Sequence, residues 1–441
     1  MIALIDRFNQ VSLHDPPPDI ADIYKDVSEI NEIDNRGFPI CRPLFSHSSL
    51  PNELGLEIIN RNEFDFKSEF SYYVHVHHNQ KLWAKHIDLI PEQILNEVRK
   101  GTCWLIFDNT LEGHRIDGDE LLVPLYKSIN KLKLPHDKIV FITNDLEAED
   151  THKKLKTSDK INIISFMWNV HDVKRLVNHK FLRRKINVKQ ELQYKEKHLK
   201  KIKPFLKVNR TNREERDLFM LFIEHEELYK KFKISFPQFT EQVYHSAFKK
   251  YVSKKTIDGL INKIPFDIDK TDKTNHGEPG YGVGQFNADL PFQPIHYKNT
   301  FVSVVMCAFP HTENCCHLHS STFNPIYSGH PIIQFGPYKS LERMRKLGFK
   351  TFDKWWDESY DDEPNSWKRL QMIMDLTLKL SKLNNEEWIE ILWDMKTILQ
   401  HNTDLINTYS IEKELYKKVY KKSQKQLKLE SPDEDDGMFS D

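Results

Sequence analysis

The stretch SSTFNPIYSGHPIIQFGPYKSLERMRKLGFKTFDKWWDESY, residues 320–360, decides the fold of this chain. It predicts, in order, a loop, a buried strand, a turn, a helix and a loop rich in aromatic and acidic residues. Pro331–Phe335 is a short apolar run between Gly329 and Gly336-Pro337, which is typical of a strand covered on both faces. A strand that opens into a helix at its carboxyl end is where open α/β sheets place their ligands.

The helix after this strand has sequence signals at both ends. Ser340 is predicted as its N-cap, 341–347 as its body and Gly348 as the residue that ends it. The string WWDESYD follows at residues 355–361 and has two interpretations. Its tryptophans lock the loop onto C-terminal helices, since large aromatics mostly serve packing. Alternatively, Glu358 lies in a cleft and binds hydroxyl groups of a ligand.

Length and composition restrict the class of protein. A chain of 441 residues favours two domains. The 64 Lys and Arg residues are balanced by 65 Asp and Glu, which argues against a globally basic nucleic-acid binder. Five cysteines without an even framework, and an N-terminus with no apolar region, predict a cytoplasmic protein without a signal peptide. The sequence contains no run of about 18 apolar residues, so no membrane span is predicted.

The first half of the chain alternates strands and helices. Strands are predicted at 70–76, 103–107, 138–143 and 162–166, with helices at 91–100, 119–132 and 148–155. This order predicts a doubly wound parallel sheet. No GxGxxG follows any of these strands, so the dinucleotide fingerprint is missing.

A second α/β unit follows. Strands are predicted at 204–209, 233–236 and 301–306, besides the strand of the opening stretch, and helices occupy the chain after Asp362. The predicted organisation is an irregular N-terminal extension (1–70), an N-terminal α/β domain (71–190), a C-terminal α/β domain (191–380), C-terminal helices (381–429) and an acidic disordered tail (430–441).

Basic residues occur in two places that matter for function. Residues 172–204 are rich in Lys and Arg and are interpreted as the interdomain connection, either solvated or facing an anionic partner. Arg210, Arg213 and Arg216 follow the strand at 204–209 with a spacing of three, which places them on one side of a helix start. They form an anion site there, or they pair with nearby glutamates on the surface.

Other polar groups suggest chemistry at the end of the strand at 103–107. Asp108, Asn109, Glu112 and His114 lie where this strand ends. Glu112 or His114 is suited to take a proton from an acceptor hydroxyl, whereas Asp108 and Asn109 also suit capping of the loop. A Cys-Cys-His-x-His string begins at Cys315, but no second ligand pair follows at a usual spacing, so no metal site is predicted.

Three strings resemble a glycosyltransferase-like family of bacteriophages and large DNA viruses, itself similar to the α-1,3-fucosyltransferases. They are GFKTFDKWWDESYD with PIIQFGP upstream of it, FDNTLEGHRIDGDELLVPLY, and Asn-Arg-x-x-Arg-x-x-Arg at 209–216. The resemblance implies two Rossmann-like domains in a GT-B-like arrangement. It also implies a Thr-Glu-Lys block where this chain has His319-Ser320-Ser321, and a glutamate where it has Cys307. Asn324 lies near the Lys-Pro-Ile positions of the fucosyltransferase-like pattern, which this chain retains.

The resulting hypothesis is a metal-independent glycosyltransferase that moves a sugar from a nucleotide-sugar to a glycan or a modified nucleobase. No cofactor is expected beyond the donor. The alternative is a protein that keeps the fold, has lost the chemistry and serves as a binding or virion-associated protein. The predicted catalytic residues are Glu112 and His114. The predicted donor-binding residues are Asn209, Arg210, Arg213, Arg216, Asn324 and Glu358.

Overall fold

The structure of the protein is a computed structural model. The residues that the structure describes are 2–5, 57–60, 66, 69–75, 90–109, 115–116, 121–155, 160–170, 173, 186–209, 213–236, 238–239, 245–266, 268, 294–307, 309–312 and 315–409.

The first sheet is parallel throughout, with the strand order β2-β1-β3-β4-β5-β6. Its strands are β1 (Ile2–Ile5), β2 (Glu57–Asn60), β3 (Phe70–His75), β4 (Cys103–Asn109), β5 (Ile139–Thr143) and β6 (Asn162–Ser165). All residues of β4 and β5 are buried, as continuous apolar runs predict for strands covered on both faces.

The second sheet is also parallel, with the order β10-β9-β7-β8. Its strands are β7 (Lys203–Val208), β8 (Phe232–Ser235), β9 (Thr300–Met306) and β10 (Ile332–Phe335). Strand β10 is the apolar run of the opening stretch, and it ends at the residue before Gly336-Pro337, as predicted.

Helices flank both sheets. They are α1 (Glu92–Lys100), α2 (Leu122–Lys131), α3 (Ala148–Lys154), α4 (Val188–Lys197), α5 (Glu214–His225), α6 (Lys254–Ile261), α7 (Pro294–Lys298), α8 (Ser320–Tyr327), α9 (Ser340–Lys346), α10 (Ser366–Leu380) and α11 (Asn385–Thr408). Turns of 3₁₀ helix occupy 136–138, 199–201, 228–231, 246–248 and 359–362.

One apolar cluster runs through both domains. Trp104, Ile106 and Ile142 of the first sheet belong to the same buried cluster as the strands of the second sheet and as α10 and α11. A second cluster fills the other face of the first sheet, around Phe107 and Phe141. Because burial of apolar area is the main stabilising term, the shared cluster ties the two domains together.

Helix α11 reinforces this connection. Its Gln400 side chain accepts a hydrogen bond from the backbone N–H of Val188 in α4 (3.1 Å), and its Thr403 hydroxyl donates to the carbonyl of Ile326 in α8 (3.2 Å). Tyr409, just after α11, accepts from the N–H of Met167, beyond the last strand of the first sheet (3.3 Å). The C-terminal helices therefore pack against both halves.

Three local predictions need correction. Residues 2–5 and 57–60, within the predicted irregular extension, are strands of the first sheet. Residues 2–5 pair with β3 and residues 57–60 pair with residues 2–5, and this pairing within a larger sheet stabilises strands that are too short to be stable alone. Residues 320–327 form α8 rather than a loop, since packing of Phe323 and Tyr327 outweighs the internal Pro325. The N-cap of α9 is Lys339 and not Ser340.

The predicted fold class is confirmed in its two parallel α/β domains with C-terminal helices, and a bridge from Asp145 after β5 to His317 after β9 joins the two domains. Gly348 has a φ of 93° and ends α9, as predicted, because glycine adopts this left-handed conformation without strain. Within the described ranges, no helix is long and apolar enough to cross a bilayer. The end of the predicted C-terminal helices, after residue 409, and the acidic tail at 430–441 lie outside the described residues.

Candidate active site

Polar side chains occupy the carboxyl ends of the first sheet. Asp108 and Asn109 end β4, and Asn144 and Asp145 follow β5, and all four are buried. In parallel sheets this edge is where ligands bind, because loops that leave neighbouring strands converge there. The predicted bases Glu112 and His114 follow β4 in the chain but lie outside the described residues.

A contact between the two domains begins at Asp145. One carboxylate oxygen of Asp145 accepts hydrogen bonds from the N–H groups of Cys316 (2.8 Å) and Glu147 (3.0 Å). The N–H of Leu146 donates to the Cys316 carbonyl (3.0 Å), and Asp145 pairs with His317 in an antiparallel bridge. We call Asp145, Leu146 and Cys315–His317 the interdomain clasp.

The clasp accounts for the string that suggested a metal. Cys315, Cys316 and His317 are buried against the first domain, and Leu318 accepts a further hydrogen bond from the Asn169 amide (2.7 Å). In the part of the chain that the structure describes, no cluster of three potential metal ligands occurs. Burial raises the pKa of Asp145 to about 7, although the backbone hydrogen bonds from Cys316 and Glu147 oppose that rise.

A buried basic group lies at the carboxyl end of the second sheet. Lys207, in β7, is fully buried, and its ammonium donates to the Oδ1 of Asn209 (2.6 Å) and lies over the Phe219 ring (5.6 Å). Arg216, in the first turns of α5, donates to the Met306 carbonyl at the end of β9 (3.1 Å). We call Lys207, Asn209 and Arg216 the basic group.

Burial lowers the pKa of Lys207 well below its usual value, and the neighbouring Arg216 guanidinium lowers it further. The Cys307 thiol offers no compensating charge, since burial raises its pKa to about 11 and it stays neutral. Its sulfur lies 3.4 Å from the Thr322 hydroxyl. The basic group therefore lies in surroundings that favour an anionic ligand.

The start of α5 adds further charged and aromatic side chains. The guanidinium of Arg213 lies over the Phe309 ring (5.4 Å). His311 lies 3.6 Å from the buried carboxylate of Glu215, shares a hydrogen bond with the Ser366 hydroxyl (2.6 Å) and contacts the Trp367 ring (4.4 Å). Burial alone would raise the pKa of Glu215, but hydrogen bonding to His311 and other polar contacts lower it overall.

Several amide atoms of the second domain are buried. Asn209 Nδ2, Asn324 Oδ1 and both side-chain amide atoms of Gln334 have no hydrogen-bond partner among the described residues. Gln334 is 1% exposed and Asn324 2% exposed. Buried polar atoms are nearly always paired, so such atoms near a strand edge favour a polar ligand.

Glu358, one of the predicted donor-binding residues, contacts its own loop and a neighbouring arginine. Its carboxylate accepts from the N–H of Phe352 (2.8 Å) in its own loop and lies 3.4 Å from the guanidinium of Arg345. Burial raises its pKa to about 7. These contacts hold the loop that carries Trp355 and Trp356, as the packing interpretation expects.

The structure thus brings together some of the predicted residues. Asn209 and Arg216 meet in the basic group, and Arg213 begins the same helix. Arg210 lies outside the described residues. Sequence analysis did not single out Lys207, although a lysine two residues after Phe205 on a buried strand is a signal for an inward-facing charge. Nothing in the sequence indicated the His311–Glu215 contact.

No family model matches the chain, and no curated protein matches it in sequence. Solved structures give a distant likeness at 9% identity. An α,α-trehalose-phosphate synthase (UDP-forming) from Burkholderia vietnamiensis has a TM-score of 0.35, over 82% of this chain and 75% of that chain. A trehalose-6-phosphate synthase from E. coli bound with UDP-2-fluoro glucose has a TM-score of 0.37, over 77% and 72%. A likeness of this degree says nothing about substrate.

Proposed function

We propose that the protein is a glycosyltransferase that moves a sugar from a nucleotide-sugar donor to a hydroxyl acceptor. The observation that carries this proposal is the basic group, Lys207, Asn209 and Arg216, at the carboxyl end of the second sheet. A buried lysine and a buried arginine that lie close together offer several hydrogen-bond donors, which phosphate oxygens accept well. The diphosphate of a nucleotide-sugar is an anion of suitable charge.

The chemistry follows from where charge develops. When the bond between the sugar and the diphosphate breaks, negative charge accumulates on the leaving phosphate. At the start of the twelve-residue helix α5, whose first turn also carries three acidic residues, stand the guanidinium groups of Arg213 and Arg216. We propose that these groups stabilise the leaving diphosphate and take the place that a divalent ion has in other transferases.

The first domain supplies the acceptor side in this proposal. An acceptor hydroxyl must lose its proton as the new bond forms, and a carboxylate or imidazole takes it. Glu112 and His114, which follow β4, remain the proposed bases. The acceptor is a glycan or a modified nucleobase, and the proposed setting is the cytoplasm.

Calorimetry against a panel of sugar nucleotides tests the proposal. We expect one class of donor to bind, and Arg213→Ala to weaken binding at least about tenfold, or about 1.4 kcal/mol. Arg99→Ala is the matched control, because Arg99 is an exposed arginine of the first domain that bonds Glu92 and Asn96. Failure of every sugar nucleotide to bind, with or without divalent ions, would refute the proposal.

A second candidate is a protein that binds the donor or another anion without transfer chemistry. The observation that favours it is Cys307, a neutral buried thiol at the end of β9 where the viral resemblance implies a glutamate. Transfer or donor hydrolysis by the purified protein, abolished by Arg213→Ala, would exclude this candidate.

A further inference from the structure

The ammonium of Lys207 is held in a way that depends on its protonation state. It is 0% exposed, and among the described residues its one hydrogen-bond acceptor is the neutral Oδ1 of Asn209. A lysine has three donors, so two of them have no acceptor in the described part of the chain. A buried ammonium with a single neutral acceptor is poorly stabilised.

The charged groups around Lys207 do not stabilise its ammonium form. From α5, the Arg216 guanidinium repels the charge and the Glu215 carboxylate attracts it, with repulsion the larger effect. From the chain after β9, the Cys307 thiol is neutral. On the neighbouring strand β8, the residue in register is the apolar Ile234. Glu215 is also engaged by His311.

We propose that Lys207 takes up a proton when a phosphate-bearing ligand binds, so that the protein senses a diphosphate by a change in the charge of this lysine. This inference rests on the proposed function, which supplies the diphosphate. An incoming anion lies beside the basic group, offers acceptors to the ammonium and offsets the repulsion from Arg216, so the ammonium becomes the stable form. In the free protein, burial and the neighbouring Arg216 guanidinium hold the pKa of Lys207 well below its usual value.

The consequence is a thermodynamic linkage between binding and pH. A ligand that binds together with one proton loses affinity about tenfold for each unit by which the pH rises, between the pKa of Lys207 in the free protein and its pKa in the complex. The proton comes from the buffer, so the heat of binding depends on the ionisation enthalpy of that buffer. This dependence gives the number of protons directly.

Calorimetry in two buffers of different ionisation enthalpy, at one pH near neutrality, measures the uptake. The probes are UDP, GDP and inorganic pyrophosphate. We expect about one proton to be taken up per bound ligand. Lys207→Met keeps the length of the side chain and should abolish the uptake. Asn209→Asp places a carboxylate beside the amine, should fix its proton in the free protein, and should abolish the uptake as well.

Lys203→Met is the matched control. Lys203 starts the same strand, and its ammonium is also partly buried and donates to the Phe232 carbonyl (2.8 Å). It lies at the amino end of the sheet, away from the basic group. It should leave the uptake unchanged. Binding without proton uptake, or uptake that persists in Lys207→Met, overturns the inference.

The outcomes separate the two proposals. If pyrophosphate binds with uptake at Lys207 but no nucleoside diphosphate binds, the inference stands and the proposed transferase function fails. If nucleoside diphosphates bind without any uptake, the function stands and the inference fails. If none of the three probes binds, the inference is refuted, and the panel of sugar nucleotides decides the proposed function.

Discussion

At the scale of single residues, Trp356 shows how the aromatic string is used. Its side chain is 5% exposed and packs on Phe352, with ring centroids 5.4 Å apart. Trp356→Ala removes this buried contact, and we expect a loss of about 3–5 kcal/mol in the free energy of unfolding, measured by chemical denaturation. Trp355→Ala should cost clearly less, because Trp355 is half-buried and bonds the exposed Asp394. Unchanged stability in Trp356→Ala would contradict the packing role.

Glu358 gives a prediction about pH. Because burial raises its pKa from 4.5 to about 7, its stabilising effect is complete below about pH 4.5 and is lost as the pH rises through 7. Glu358→Gln resembles the protonated form. We expect the variant to gain stability relative to wild type between about pH 5 and about pH 8, by at most about 3 kcal/mol. Melting curves of wild type and Glu358→Gln at both pH values test this. A difference in stability between the two proteins that is the same at both pH values would contradict it. Donor affinity should not change.

At the scale of elements, helix α9 begins with a cap that comes from another part of the chain. The Asp361 carboxylate accepts from the N–H groups of Leu341 (3.0 Å) and Glu342 (2.9 Å) and from the Ser340 hydroxyl (3.2 Å). Asp361 is 2% exposed. Asp361 thus ties the end of the WWDESYD string to the helix that precedes it.

Removing this cap should destabilise the protein. For Asp361→Ala we expect a loss of about 2 kcal/mol, at the upper end of the range for helix caps, since several donors lose one buried acceptor. Asn384→Ala is the comparison, because Asn384 and Glu387 form an exposed capping box at α11, and its loss should be about 1 kcal/mol. Chemical denaturation measures both. A loss for Asp361→Ala that is equal to or smaller than the loss for Asn384→Ala would show that the Asp361 cap contributes little to stability.

At the scale of the whole molecule, the interdomain clasp and the shared apolar cluster hold the two sheets together. Asp145→Ala leaves the N–H groups of Cys316 and Glu147 without their acceptor, and Asp145 itself is 0% exposed. We expect a loss of about 3 kcal/mol, because unpaired buried donors are costly. Asp150→Ala on α3 removes an exposed pair with Lys153 and should change stability by less than about 1 kcal/mol.

The measurement for the clasp is denaturation followed by one fluorescence probe in each domain. Trp104 belongs to the first sheet and Trp388 to α11, so Trp104→Phe and Trp388→Phe identify which part of the wild-type fluorescence change comes from each side. Wild type should unfold in one transition, since the apolar cluster is continuous between the domains. Two separate transitions in wild type would contradict this description.

The sequence by itself determined the elements. Continuous apolar runs predicted β4, β5, β9 and β10, because a strand buried on both faces needs apolar side chains throughout. Gly348 marked the end of α9, because the left-handed conformation favours glycine. The alternation of strands and helices predicted parallel sheets. These signals are local, so each could be recognised within a short stretch of residues.

Only the tertiary structure decided which distant groups meet. Asp361 replaced Ser340 as the acceptor at the start of α9, Asp145 met Cys316, and β1 paired with β3, and each contact joins residues far apart in the chain. The same holds for the site. The arginine spacing indicated an anion site, but the buried setting of Lys207 depends on α5 and on the chain after β9 packing over β7. Packing sets the solvation of that lysine, and solvation sets its charge.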